Sequence, residues 1–152
     1  MVMIMAGETK LTQLLKTMKP LLRLGEYVFC TLPNTTHCPP HLDPMGYFKE
    51  DEGLTLMLPK PQADTAGLSY PAVFALITLT VHSSLEAVGF MAALVENLPA
   101  WVIATHLASH GISVNPVSAF YHDHLFVPAR DAERAIALLQ SLTAAAGSEP
   151  PA

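Results

Sequence analysis

Two stretches of this chain carry polar side chains of the kind that bind ligands. The first, HSSLE, begins at His82 and follows the apolar run from Phe74 to Val81. Such an unbroken run is typical of a strand buried on both faces. A serine followed three residues later by a glutamate is a capping box, so Ser83 and Glu86 predict a helix start. The amides of a helix start suit a carboxylate or phosphate, although these two side chains can also satisfy those amides themselves.

The second stretch is His122-Asp123-His124, whose residue types are common metal ligands. On a strand the two histidines would share one face. The chain must also reverse direction here, and an aspartate tolerates turn geometry well. No further ligand follows at a fixed spacing, and the sequence has no nucleophile elbow or phosphate loop. We therefore predict no metal site, no cofactor and no catalytic residue, and keep a metal-assisted enzyme built on these three residues as an alternative.

Composition limits the class of protein. The chain has 152 residues, of which 51% are hydrophobic and 14% charged, with a net charge of -5. The eight lysines and arginines are scattered, which argues against a nucleic-acid surface. No apolar run is long enough to span a bilayer, and the opening MVMIMAG is too short for a signal peptide. We expect a soluble cytoplasmic protein.

The order of predicted elements occurs twice along the chain. One copy runs from the strand EYVFCTL through the acidic hairpin EDEGLTLMLP to a short helix over residues 61–66. The other runs from ALITLTV through a helix and GISVN to FYHDHLFVP and an amphipathic helix over residues 130–142. A proline-rich loop in the first copy replaces the first helix of the second. The order βαββα is close to the ferredoxin-like βαββαβ arrangement, so we predict an α+β fold with antiparallel sheets and helices on one face.

These motifs resemble a known family. EYVFCTL, EDEGLTLMLP, ITLTVHSSLEAVGF, GISVN and FYHDHLFVP look like small bacterial and fungal proteins built from tandem ACT domains, which are similar to the regulatory ACT modules of aspartate kinases. The resemblance covers roughly Leu11 to Leu142. It implies two ferredoxin-like repeats, often paired into dimers, that bind amino acids or similar small ligands at domain interfaces. The loop after the first strand and the start of the first helix commonly shape that site. By the resemblance, this site maps onto His82, Ser83, Ser84, Leu85 and Gly89.

The resemblance also sets expected limits for the parts of the chain. We predict an N-terminal helix within residues 1–22, an atypical first repeat over 23–69, a second repeat over 70–143 and a disordered tail over 144–152. Between Gly89 and Gly111 the chain is longer than the family pattern by about two helical turns. This surplus predicts a helical insertion near residues 94–102. A purely structural interaction module that uses Trp101 as its contact is therefore a further alternative.

Asn115 completes the predicted site. It lies on the second strand of the second repeat, where its amide either faces a ligand at the helix start or faces solvent. We predict a regulatory or sensor module without catalytic activity that binds an amino acid. The carboxylate would lie at the Ser83-Ser84 helix start, and His82 and Asn115 would contact the other polar groups. The predicted partners are this ligand, a second copy in a homodimer and a regulated protein, with no nucleic acid and no membrane.

Overall fold

The computed structural model describes residues 15–80 and 99–148 of the chain. Within them residues 15–17 are helical. The same residues form strands β1 (Pro20–Leu22), β2 (Tyr27–Pro33), β3 (Gly46–Glu50), β4 (Gly53–Pro59), β5 (Val73–Leu79), β6 (Asn115–Ser118) and β7 (Asp123–Pro128). They also form helices α1 (Lys60–Thr65), α2 (Pro99–Ser109) and α3 (Ala132–Ser148), the last preceded by a 3-10 turn over Ala129–Asp131.

The chain divides into two compact units. One comprises Leu24–Ala75, and the other comprises Met1–Arg23 together with Leu76–Ala152. The division falls inside β5, so this strand contributes residues to both units. The domain limits predicted from the sequence stay a prediction, and most of the insertion predicted near residues 94–102 lies outside the described residues.

The unit formed by Leu24–Ala75 has the strand order β3-β4-β2, followed by the first residues of β5. Strands β2 and β4 are antiparallel over their full length, and Tyr27 pairs with Phe74 of β5. Alternate residues of β2 and β4 point to one face, as the two-residue period of a strand requires. That face holds a core of Val28, Cys30, Leu42, Leu54, Leu56, Leu58 and Ala63, the last supplied by α1.

In the unit that contains both chain ends, β5 lies between β1 and β7, and β6 forms the edge beyond β7. Strand β1 is antiparallel to the second half of β5, with Leu21 opposite Thr78. Helix α3 contacts β1 and β7, and α2 contacts β6. The buried residues of this unit include Ile77, Leu79, Leu125 and Val127 from the strands and Ile103, Leu107, Ala135 and Leu139 from the helices.

Both units therefore show the strand order of the ferredoxin-like fold, and the predicted α+β fold with antiparallel strand pairs is confirmed. Strand β6 is shorter than the predicted strand over residues 112–121. Pro116 lies in this edge strand, where a residue without an amide is tolerated. Helix α3 extends to Ser148 rather than residue 142, because the segment TAAAG favours helix apart from its glycine.

The described helices are all short or amphipathic. None of those in residues 15–80 and 99–148 combines the length and the apolar character needed to cross a membrane.

Candidate functional site

Most of the predicted ligand site lies outside the described residues. His82, Ser83, Ser84, Leu85 and Gly89 all fall within residues 81–98, so their roles stay a prediction. Asn115 is described, and it is the exposed first residue of β6. Trp101 lies near the start of α2.

Asn115 shares a sheet face with residues of β7 and β5. It is paired with Phe126, and Val117 is paired with His124. Directly paired residues of antiparallel strands point to the same face, so Asn115, Val117, Phe126 and His124 lie together. The His124 ring also contacts the Thr78 hydroxyl, which places Thr78 on this side. We refer to the surface formed by these five residues as the Thr78 face.

A chain of hydrogen bonds connects Thr78 and His124 of this face to Arg23. Arg23, directly after β1, donates from Nε to Thr78 Oγ1 over 3.1 Å. The same oxygen lies 3.0 Å from Nδ1 of His124. Thr78 is fully buried, His124 is half-buried and Arg23 is exposed. A buried hydroxyl costs free energy unless it is hydrogen-bonded, so Arg23 and His124 stabilise Thr78 in this position.

The donors and acceptors of this chain fix the state of the imidazole. A guanidinium has only donors, so Thr78 must accept from Arg23 and can donate its single proton to His124. Nδ1 of a neutral imidazole accepts that proton when the ring proton is on Nε2. His124 therefore presents an Nε2–H donor, and among residues 15–80 and 99–148 no hydrogen bond uses the Nη groups of Arg23.

The surroundings of His124 disfavour its charged form. Burial lowers the pKa of His124 below its usual value, the positive charges of His122 and Arg23 lower it further, and Asp123 raises it by a smaller amount. The neutral ring at physiological pH agrees with its role as acceptor for Thr78. Positive charge thus outweighs negative charge around this ring, although the whole chain is acidic.

The structure does not bring His122, Asp123 and His124 together as metal ligands. Asp123 and His124 are consecutive in β7, so their side chains point to opposite faces. Asp123 is only 5% exposed. In residues 15–80 and 99–148 no three His, Cys, Asp or Glu side chains are grouped so that they could hold a metal ion. His122 is outside β7, and its Nδ1 is buried without a hydrogen-bond partner in this part of the chain.

Sequence reasoning did not find Arg23 or Thr78. Thr78 lies within an apolar run and looked like a core residue. Its polar partners come from segments 55 and 46 residues away, and only the strand register brings them together. A threonine inside a strand that is otherwise aliphatic was the only available signal.

The other unit has a different surface on its corresponding face. An open groove of about 440 Å³ is lined by residues of β2, β4 and the segment before β5, namely Phe29, Cys30, Thr31, Thr55, Ser69, Tyr70 and Pro71. The Tyr70 hydroxyl donates to Asp64, which also binds Lys60, so these polar groups are already paired. Burial raises the pKa of the Cys30 thiol, which disfavours a reactive thiolate.

The family follows from comparison with known proteins. One ACT-domain family model matches residues 6–75, and a second ACT-domain family model matches residues 74–141. Together with a relative of 43% identity that matches over 90% of this chain, these matches show that the chain belongs to the ACT-domain family and contains two ACT domains in tandem. The resemblance read from the sequence is thereby confirmed.

Solved structures extend this assignment. The 43%-identical relative is VC0802 from Vibrio cholerae, described as a protein of unknown function and possible transport protein, with 98% of its chain covered and a TM-score of 0.71. Atu0741 from Agrobacterium tumefaciens is 20% identical over 83% of this chain and 89% of its own, with a TM-score of 0.57. The regulatory subunit of aspartate kinase from Thermus flavus is 13% identical over 81% of this chain and 95% of its own, with a TM-score of 0.54. The last two share the fold. No curated protein matches the chain in sequence.

Proposed function

We propose that this protein is a regulatory or sensor module whose ligand is an amino acid. The observation that carries this proposal is the match of both halves of the chain to ACT domains. As a class, these domains are regulatory and bind small ligands, and amino acids are the ligands that the resemblance implies. The function therefore lies in binding and in the response to binding.

The proposed site combines Ser83 and Ser84, at the helix start that the sequence predicts, with the edge strand β6. The ligand carboxylate binds at Ser83 and Ser84, and Leu85 and Gly89 shape the adjoining surface. His82 and Asn115 contact the other polar groups of the ligand. The exposure of Asn115 at the beginning of β6 supports this proposal, because its amide is accessible.

Regulation requires a second protein whose activity changes when the ligand binds to this one. We propose a homodimer in the cytoplasm that acts on a separate protein or buffers its ligand. Sedimentation with and without ligand measures the oligomeric state. A monomer in both conditions contradicts the homodimer.

Thermal unfolding against a panel of amino acids, with a parallel series of divalent metals, tests the proposed function. A ligand at a hundred times its dissociation constant stabilises the native state by about 2.7 kcal/mol, which is readily measured as a shift in midpoint. A shift with one or two amino acids supports the proposal and identifies the ligand. A shift with metals alone, lost in His122→Ala, favours the metal-assisted enzyme. No shift in either series contradicts both the amino acid sensor and the metal-assisted enzyme. It favours the interaction module, in which Trp101→Ala should abolish partner binding.

Two glycine variants test the position of the site. Gly89→Leu should abolish amino acid binding in a protein that still unfolds cooperatively. Gly147→Leu is the matched control, because a Cβ atom at Gly147 of α3 meets nothing within 4 Å. Unchanged affinity in a folded Gly89→Leu variant contradicts the proposed site.

A further inference from the structure

The guanidinium of Arg23 is held in place but not neutralised. Its Nε is bonded to Thr78, and in the described part of the chain no carboxylate forms a salt bridge with it. The edge formed by Nη1 and Nη2 is the one that binds carboxylates and phosphates through two parallel hydrogen bonds. Anchoring through Nε orients this edge while leaving it accessible, because the side chain is exposed.

His124 contributes a second donor close to this guanidinium. Nε of Arg23 and Nδ1 of His124 each lie within 3.1 Å of the same Thr78 oxygen, so these two nitrogens are no more than twice that distance apart. The neutral ring carries its proton on Nε2, which remains available to donate. Thr78 thus holds a cationic side chain and a neutral imidazole next to each other on the sheet.

The remaining charges nearby also favour an anion. Positive charge from His122 and Arg23 acts on His124 more strongly than negative charge from Asp123. Asp123 is adjacent in sequence but points to the other face of β7. The buried Nδ1 of His122 has no hydrogen-bond partner in the described residues. The fixed positive charge of Arg23 beside a neutral donor is an arrangement that favours a bound anion.

We propose that Arg23 and His124 form a binding site for a small oxyanion, a carboxylate or a phosphate, on the Thr78 face of the second ACT domain. This site goes beyond the proposed amino acid site: its donors, Arg23 and His124, are not among the residues assigned to the amino acid, although Asn115 lies on the same face. The bound oxyanion accepts two hydrogen bonds from the Nη edge of Arg23 and one from Nε2 of His124.

This geometry couples anion binding to the protonation of His124. An anion beside the ring favours the imidazolium, and the Thr78 oxygen can accept from both Arg23 and a protonated Nδ1. Oxyanion binding should therefore strengthen as the pH falls. By linkage, a bound oxyanion should raise the pKa of His124.

Titration of the full chain with inorganic phosphate, and separately with acetate, tests this site. The signals of the His124 ring are followed by NMR, with sodium chloride at equal ionic strength as the control for screening. We expect either oxyanion to shift these signals and to raise the pKa of His124. A response to acetate alone identifies a carboxylate as the ligand, and a response to phosphate alone identifies a phosphate group.

Variants separate binding from a structural role of Arg23. Arg23→Gln should weaken oxyanion binding about ten-fold or more, since it removes charge-assisted hydrogen bonds. Arg130→Gln is the matched control, because the Arg130 side chain is 86% exposed and its Nε lies 3.7 Å from Asp131. His124→Gln keeps a donor and an acceptor, so it should retain the fold and part of the affinity but lose the pH dependence.

The site is refuted if neither oxyanion shifts the His124 signals more than chloride does. It is also refuted if Arg23→Gln and Arg130→Gln, both folded, bind the oxyanion with the same affinity. These outcomes are distinct from failure of the proposed function. An amino acid response that persists in Arg23→Gln, with no phosphate or acetate response in the native chain, removes only this site. An oxyanion response without any amino acid response removes only the proposed function.

Discussion

The two ACT domains of this chain have similar core faces and different opposite faces. In both, alternate residues of the central strands build a buried aliphatic core against a helix. Thr55 and His124 occupy equivalent positions, four residues before the proline that ends their strand. Thr55 is paired with Thr31 and Phe48, which are exposed, whereas His124 is joined to the buried Thr78.

This difference shows that the face opposite the core is free to vary between the repeats. In the first domain it is an aromatic surface, where Phe29 and Phe74 pack edge to face at 5.3 Å and Phe48 is 69% exposed. In the second it carries a cationic hydrogen-bonded chain. The core specifies the shared fold, and the opposite face gives each repeat its own chemistry.

The largest expected difference between the domains lies in their hairpins. Gly53 has φ +152°, and a Cβ atom there would overlap the Leu32 carbonyl oxygen and lie 2.9 Å from Cα of Pro33. Gly53→Ala should therefore lower the free energy of unfolding by about 3 kcal/mol, as measured by urea denaturation. At the equivalent position the second domain has His122. His122→Ala should lower the free energy of unfolding by less than about half of the loss expected for Gly53→Ala.

Gly67→Ala is the control for this hairpin prediction. Gly67 also has a positive φ, of +68°, but no atom lies within 4 Å of a Cβ built there. Its replacement should cost only the backbone strain, about 1 kcal/mol. Equal losses for Gly53→Ala and Gly67→Ala would show that crowding at the first hairpin is unimportant.

The next largest effect is expected on the faces opposite the two cores, which carry Thr78 in one domain and Thr55 in the other. Thr78→Val removes the hydroxyl between Arg23 and His124, which leaves Nδ1 of the half-buried His124 ring without this partner. It should lower the free energy of unfolding by about 2 kcal/mol. Thr55→Val loses only an exposed hydrogen bond to Glu50 and should stay within about 0.5 kcal/mol of the native value. If chemical denaturation gives similar losses of unfolding free energy for Thr78→Val and Thr55→Val, the hydrogen bonds of Thr78 stabilise the protein no more than an exposed hydrogen bond does.

A smaller effect should appear in the pH dependence of stability. Because the pKa of His124 in the folded chain is lower than its ordinary value of 6.5, the unfolded chain takes up its proton at a higher pH. Stability is therefore complete above about pH 6.5 and is lost as the pH falls through the folded pKa. The slope contributed by His124 should remain below about 1.4 kcal/mol per pH unit, because one imidazole can differ by at most one bound proton between the folded and unfolded chain.

Denaturation curves between pH 5 and 8 measure this slope. His124→Gln should flatten the curve. A slope that survives in His124→Gln would assign the pH dependence to another group and remove this distinction between the two domains.

The smallest effect is expected on the aromatic face of the first domain. Phe48→Ser removes a side chain with little burial, so the free energy of unfolding should change by no more than about 0.5 kcal/mol. Thermal and urea unfolding measure this change. A loss of several kcal/mol would show that this face is covered, and the contrast between the two faces would then disappear.

The sequence predicted the elements that carry strong local patterns. The apolar run of β5, the hairpin before β4 and the amphipathic α3 were all expected within a few residues, because their periodicity and turn residues are local signals. Strand β1 was missed, since three residues that begin with a proline carry no period. Its assignment depends on pairing with residues 77–79, which no local pattern reveals.

The same reason limits prediction of the site. His124 was noticed for its residue type, but the metal hypothesis assumed that neighbouring residues would act together. The structure instead connects His124 to Thr78 and Arg23 across the sheet. A hydrogen-bonded chain built from three separated segments depends on strand register, and register is a property of the whole domain.

Strand β1 also determines the order in which this protein can be completed during synthesis. Residues 20–22 are synthesised before the segment 24–75, but the residues with which they pair, 77–79, follow only after that segment. The segment 24–75 contains all the strand partners of its own core, so it can close first and shorten the loop that β1 must span. The second domain, although β1 precedes the first domain in the chain, is finished last.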